Sequence, residues 1–372
     1  MRMGKRGVGI RRYICAAIIV LVGTSGALAE SAPAPSSQKA KPRVPGLRAR
    51  KPKVDEAKLL AGKTPPPVPK GFQSIDKVKV GILTGWITMI DPDAPIPIPE
   101  GVEFIKDVEY GKVGDRALLL DLYVPKGLTK PVPGLIFIHG GGWSGGDKKD
   151  YRYYTVRYAK RGYVVASISY RLVKEATFPA CVQDAKCAVR WMRANAKTYH
   201  IDPKRIAAIG GSAGGHLSMM LGYSAGVPEL EGDGGHAKTS SAVQAVVNLY
   251  GPVDLTVAVA RKHPTVLAFF GGKTYDEAQK QYELASPITH LDKDDPPTLI
   301  LHGTIDELVP IEQADTLAKK LKELGVPCVY DRLEGYPHTM DLAYEVNVRC
   351  QWFINRFLEK HLGAVKPAGS TR

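Results

Sequence analysis

The sequence predicts an α/β fold, with a mainly parallel central sheet and helices on both faces. Three observations carry that expectation. Short apolar runs (PGLIFIH, YVVASISY, RIAAIG, PPTLILHG) recur from residue 101 onward, and such runs suit strands buried on both faces. Segments with helical spacing fall between them, near 179–197, 212–224, 311–324 and 340–361. Strands that alternate with helices close into a parallel sheet covered on two sides.

The chain has 372 residues, 44% of them hydrophobic and 24% charged, which is enough to bury one large core. The net charge of +14 is concentrated at one end. Residues 1–29 carry five Lys/Arg and no acid, and 30–79 carry twelve Lys/Arg against four acids. The remainder holds 34 basic and 33 acidic residues, so nothing there points to a nucleic-acid partner.

Arg2, Lys5, Arg6, Arg11 and Arg12 precede the apolar run 14–28, and Ala27-Leu28-Ala29 offers a small-residue cleavage site before Glu30. This is the pattern of a bacterial-type export signal, periplasmic or extracellular in destination, and the run is short of the roughly 20 apolar residues of a membrane helix. The domain reading is a signal peptide over 1–29, a Pro/Lys-rich tether and extended approach over 30–100, a catalytic domain over 101–362 and a C-terminal tail over 363–372. The basic tether is either a solvated spacer or a contact for an anionic cell surface. Four Pro between 92 and 99 exclude a helix there.

In the catalytic domain, VEFIKDVEY and ALLLDLYV are expected strands joined by GKVGD, a link too short for a parallel crossover, so the sheet should start antiparallel. Residues 251–295 contain no clear strand and are expected to form a small cap or part of a substrate wall. Of the four cysteines after the leader, Cys181 and Cys187 are too far apart along one helix to bridge unless Cys181 precedes that helix. Cys328 with Cys350 stays open, with buried thiols as the alternative. No CxxC or HExxH spacing appears, so neither a metal nor another cofactor is implied.

The strongest local signal is Gly210-Gly211-Ser212-Ala213-Gly214, set between the apolar run RIAAI and a helical segment. A G-x-S-x-G in that context lifts a serine above a sheet edge at a helix N-terminus. The alternative is a serine N-cap in a glycine turn. The second signal is His139-Gly140-Gly141-Gly142-Trp143 after the run PGLIFI. A loop without side chains can aim backbone N–H groups at a developing oxyanion, with Gly141, Gly142 and Ala213 as candidate donors. A nucleophilic serine needs a base, and the base needs an orienting carboxylate. Asp306 in LHGTIDELVP and His338 in GYPHTM follow in the order serine, acid, histidine. Glu307 is the rival acid, with Glu334 and Asp341 behind it. Trp143 and Tyr170 are candidate pocket walls, with packing beside the glycine loop as the alternative for Trp143. His216, His302 and Asp184 are read as structural, Asp184 as a partner for Arg171 or Arg190. Asp292, Asp294 and Asp295 are read as a solvated loop.

HGGGW, GGSAGGH, ILHGTIDELVP and GYPHTM together resemble the α/β-hydrolase esterases related to hormone-sensitive lipase, in the branch of acetyl xylan and feruloyl esterases and small-ester carboxylesterases. The resemblance covers about 101–362. It implies the α/β-hydrolase fold, a triad of Ser212, Asp306 and His338, an oxyanion hole of Gly141, Gly142 and Ala213, and hydrolysis of short acyl esters, on small molecules or on acetylated or feruloylated polysaccharide. The long helical N-terminal cap of the wider group is missing from the sequence pattern. Aryl formamidases and other amide hydrolases carry similar glycine motifs, and a non-catalytic binding module on this fold is the remaining alternative.

Overall fold

The computed structural model describes residues 56–68, 70–91 and 94–369. The expected export signal over 1–29 and the tether up to residue 55 lie outside the described residues. Eight strands form one sheet: β1 (Val102–Val113), β2 (Arg116–Pro125), β3 (Val132–Ile138), β4 (Val164–Ile168), β5 (Ile201–Gly211), β6 (Ala245–Leu249), β7 (Thr298–Gly303) and β8 (Cys328–Leu333). Their spatial order is β1-β2-β4-β3-β5-β6-β7-β8. The β1/β2 and β2/β4 pairs are antiparallel, and every later pair is parallel. The expected antiparallel start follows from a turn at Gly114-Asp115, which can join only antiparallel strands.

Eleven α-helices accompany the sheet among the described residues. They are α1 (Glu56–Ala61), α2 (Ile75–Leu83), α3 (Arg152–Arg161), α4 (Ala180–Ala194), α5 (Ala213–Tyr223), α6 (Pro228–Glu231), α7 (Ala258–Arg261), α8 (Pro264–Phe269), α9 (Tyr275–Leu284), α10 (Glu312–Leu324) and α11 (Tyr344–Leu362). The period-2 alternation of β3 divides the core. Ile136 and Ile138 pack with Val182, Val189, Leu217 and Leu317, from α4, α5 and α10. Leu135 and Phe137 pack with Tyr154, Tyr158, Ile354 and Leu358, from α3 and α11. Both faces of the sheet are therefore covered, which is why its strands read as continuous apolar runs. All four described cysteines are free thiols, so the open Cys328–Cys350 pairing is not formed. Arg171 pairs with Asp184 at 2.7 Å, while Arg190 takes Glu231 at 2.9 Å.

The reading of the tether as a solvated spacer is corrected over its described residues 56–68, and 71–91 is seated as well. Trp352 Nε1 donates to Gly62 O (2.8 Å) and Arg349 to Pro66 O (2.9 Å), both from α11. Phe72 N donates to Gly335 O, Ile90 N to Leu342 O and Tyr344 N to Thr88 O, each at 2.8 Å. The segment thus straps both ends of the 335–344 loop. Gly71 is required by this contact, because a Cβ there would lie 1.9 Å from Glu334 O. The C-terminal stretch 363–369 is also seated, with Ala368 N donating to Lys160 O at 2.9 Å. These attachments use backbone carbonyls as acceptors, so no side-chain pattern announces them.

Candidate active site

Ser212 stands between the last residue of β5 and the first of α5, with φ 55° and ψ −124°. This left-handed backbone is strained for a residue bearing a side chain. It is held by Ser212 N donating to Leu249 O (2.9 Å) and by His216 N donating to Ser212 O (3.0 Å). Gly210 and Gly214 permit the sharp turn, since a Cβ on Gly210 would lie 2.4 Å from the Gly214 carbonyl.

The other two expected groups arrive on loops at the C-terminal ends of β7 and β8. His338 Nε2 lies 2.9 Å from Ser212 Oγ, and its Nδ1 lies 2.6 Å from Asp306 Oδ2. Asp306 Oδ1 accepts the Leu308 and Val309 N–H groups, both at 2.9 Å, which fixes the carboxylate edge facing the imidazole. Burial pushes the Asp306 carboxyl up, but the charge and hydrogen bonds of His338 and His302 outweigh it and hold the group well below the usual carboxylate range. It is therefore ionised wherever the imidazole can act as a base. The rival acids are elsewhere. Glu307 and Glu334 are exposed, and Asp341 is buried and bonded to tyrosines.

The glycine loop lies beside this row. A Cβ on Gly140 would lie 3.4 Å from Ser212 Cβ, so the loop closes directly on the nucleophile. Gly141 and Gly142 have φ of 101° and 58°. Ala213 is the first residue of α5, and the first N–H groups of a helix have no intrahelical acceptor. A nucleophile, a base with its orienting carboxylate and a source of preorganised N–H groups are assembled at one point, as acyl transfer requires.

A family model described as BD-FAE matches residues 120–321, a span that contains the glycine loop, Ser212 and Asp306. The chain belongs to the BD-FAE family. It is 34% identical over 244 residues to the probable carboxylic ester hydrolase LipM of Mycobacterium tuberculosis, covering 63% of this chain and 56% of LipM. The matched region is thus little more than half of that relative's length. Among solved structures it is similar to a truncated carbohydrate esterase from gut microbiota, at 31% identity and a TM-score of 0.61, over 68% of this chain and 95% of the other. A propionate-bound esterase, Est2 of Thermogutta terrifontis, aligns at 28% identity and a TM-score of 0.61, over 72% and 97%. The fold is that of an α/β-hydrolase.

In this BD-FAE chain Tyr170 is a support instead of a wall, which corrects its reading, and Trp143 takes its alternative of packing beside the glycine loop. Tyr170 is 2% exposed, stacks on His139 at 4.3 Å between ring centroids, and donates its hydroxyl to His139 O at 3.0 Å. Trp143 is 3% exposed, stacks on Phe269 at 4.3 Å, and donates Nε1 to His216 Nδ1 at 3.3 Å. Their faces are occupied by neighbours, so they brace the glycine loop from beneath. His216 in turn uses Nε2 on Ala285 O at 2.7 Å. Burial pushes its pKa down to about 4 against that hydrogen bond, so it is a neutral structural imidazole.

Residues 251–295 supply α7, α8 and α9 and cover the glycine loop. Thr265 of α8 sits against Gly142, where a Cβ would lie 2.6 Å from Thr265 Cγ2. His263, at the start of α8, has its pKa pushed down by burial and then by the charge of His338, which places it by the catalytic imidazole. Sequence reasoning missed it, because a histidine in an uncharacterised cap carries no motif. His302, read as structural, reaches Val309 O at 2.8 Å through Nε2 and also lies 3.1 Å from Asp306 Oδ2. Its spacing of four from Asp306 is the only signal in the sequence, and it is not a helical one.

Proposed function

We propose that this protein is an exported serine carboxylester hydrolase that works through an acyl-enzyme on short acyl esters, among them acetyl or feruloyl groups on polysaccharide. The observation that carries the reading is the continuous row Ser212 Oγ, His338 Nε2, His338 Nδ1, Asp306 Oδ2, with separations of 2.9 and 2.6 Å across its two hydrogen bonds.

In the mechanism, Ser212 Oγ attacks the ester carbonyl as His338 Nε2 takes its proton. Asp306 holds the tautomer that leaves Nε2 free to accept. The N–H groups of Gly141, Gly142 and Ala213 receive the oxyanion. The C–O bond to the alcohol then breaks, with His338 returning the proton to the leaving oxygen. Water, deprotonated by the same imidazole, releases the acid and restores Ser212.

A short acyl group is supported by the cap. Thr265 presses on Gly142 and the ring of Phe269 fills the space over Trp143, which leaves the glycine loop backed by packed side chains. Activity on p-nitrophenyl esters is expected to peak between about two and four acyl carbons, with turnover of acetylated xylan or methyl ferulate above that of formyl-arylamines. A maximum near twelve carbons, or faster cleavage of the formyl-arylamine, contradicts this reading.

Export is supported by the positive residues, apolar run and Ala27-Leu28-Ala29 of the first 29 residues. N-terminal sequencing of the protein recovered from outside the cytoplasm is expected to begin at Glu30. Retention in the cytoplasm with Met1 intact is the opposite result.

A further inference from the structure

Behind the imidazole of His338 lies a carboxyl group that the hydrolytic row does not use. Asp341 is 3% exposed and sits three residues beyond the histidine. Tyr154 of α3 donates its hydroxyl to Asp341 Oδ2 at 2.8 Å, and Tyr250 donates to Oδ1 in a short bond. Asn347 Nδ2 donates to the Tyr154 oxygen (2.7 Å) and to Asp341 O (2.8 Å). Since Tyr154 already accepts from that amide, its own proton is directed at the carboxylate. Asp341 is thus served as an acceptor on both oxygens, the arrangement that makes a buried anion tolerable.

Tyr250 connects this carboxylate to the reacting groups. Its ring lies 4.7 Å from the His338 ring, centroid to centroid, inclined at 63°. Its hydroxyl crowds the residue before the nucleophile, because a Cβ on Gly211 would lie 2.8 Å from it. Its backbone is left-handed, with φ 45°, a conformation that costs a bulky residue roughly 1–3 kcal/mol and persists where the surroundings enforce it. One side chain therefore touches the elbow, the imidazole and the buried acid.

We propose that Tyr250 and Asp341 are positioning residues for hydrolysis: Tyr250 holds the His338 imidazole in line with Ser212, and Asp341 fixes Tyr250 there through its hydroxyl. This rests on the ester-hydrolase reading above. Tyr151, Tyr154, Tyr250, Cys350 and His338 are the titratable groups that face Asp341. Burial raises the Asp341 carboxyl above its ordinary value, and the Tyr250 and Tyr154 bonds offset only part of this.

The experiment measures kcat and KM for p-nitrophenyl acetate with the wild type, Tyr250→Phe, Asp341→Asn and the double variant. Each single variant is expected to lower kcat about tenfold or more, with KM held within about twofold. The double variant should be no slower than the slower single, because the two act through one contact. A folded Tyr250→Phe whose kcat stays within about threefold of the wild type overturns the proposal. Should Asp341→Asn fail to fold, Tyr250→Phe decides alone, because it keeps the ring and removes only the hydroxyl. A wild type that hydrolyses no ester overturns the proposed function together with this inference, whereas an active wild type with unchanged variants overturns only the positioning roles.

Discussion

Replacement of Ser212 by Ala is expected to lower kcat by on the order of 10⁶ while leaving the fold intact. The size follows from how the site works. Ser212 Oγ and His338 Nε2 share one hydrogen bond of 2.9 Å, and neither group accelerates the reaction without the other. What survives is the contribution of the oxyanion donors and of binding, roughly 10³–10⁴ over water. The helix that follows is anchored through backbone bonds, Ser212 N to Leu249 O and His216 N to Ser212 O, and alanine keeps both. Circular dichroism should therefore be unchanged while p-nitrophenyl acetate hydrolysis disappears. A variant retaining a tenth of wild-type kcat would move the nucleophile elsewhere.

The second large effect belongs to Asp306→Asn, for which a fall in kcat of about 10⁴ is expected with little change in KM. Asp306 Oδ2 receives the Nδ1 proton of His338 across 2.6 Å. An amide at that position can present N–H instead, which favours the tautomer with the proton on Nε2, and that nitrogen then cannot accept from Ser212. The pH profile gives an independent reading. The charges and bonds of His338 and His302 overcome burial and hold the Asp306 carboxyl well below the usual range, so protonation of this carboxylate does not set the acidic limb of kcat/KM. The same depression sets a sign for stability. A carboxyl lowered on folding stabilises the native state above its ordinary value of 3.8, and this contribution is lost as the pH falls toward the depressed value. Acid unfolding of Asp306→Asn should lack that part of the pH dependence.

What the sequence discloses and what it hides have physical causes. The elbow at Ser212 is legible because its determinants are local: an apolar strand, glycines where backbones approach within contact distance, and a helix, all within sixteen residues of RIAAIGGSAGGHLSMM. Asp306 and His338 are legible through chain order and through their place just beyond apolar strands, the edge at which open sheets gather ligands. The strap formed by residues 56–91 is hidden, since Trp352 and Arg349 find backbone oxygens at Gly62 and Pro66, and a carbonyl is the same in every residue. Composition there, rich in Pro and Lys, points the other way. Whether Trp143 and Tyr170 line the cleft or pack beneath it is not legible, because only the fold decides which face of a ring a neighbour occupies. Tyr250 and Asp341 are 91 residues apart, and nothing in their local sequence links them.

The central claim is that one serine oxygen attacks the carbonyl, and covalent capture tests it most directly. The native protein would be treated with a fluorophosphonate, digested and mapped by mass spectrometry, alongside Ser212→Ala and His338→Ala. A single adduct on Ser212, absent from the first variant and formed far more slowly in the second, is the result this account predicts. An adduct on another residue, or undiminished labelling once Ser212 is gone, would contradict it.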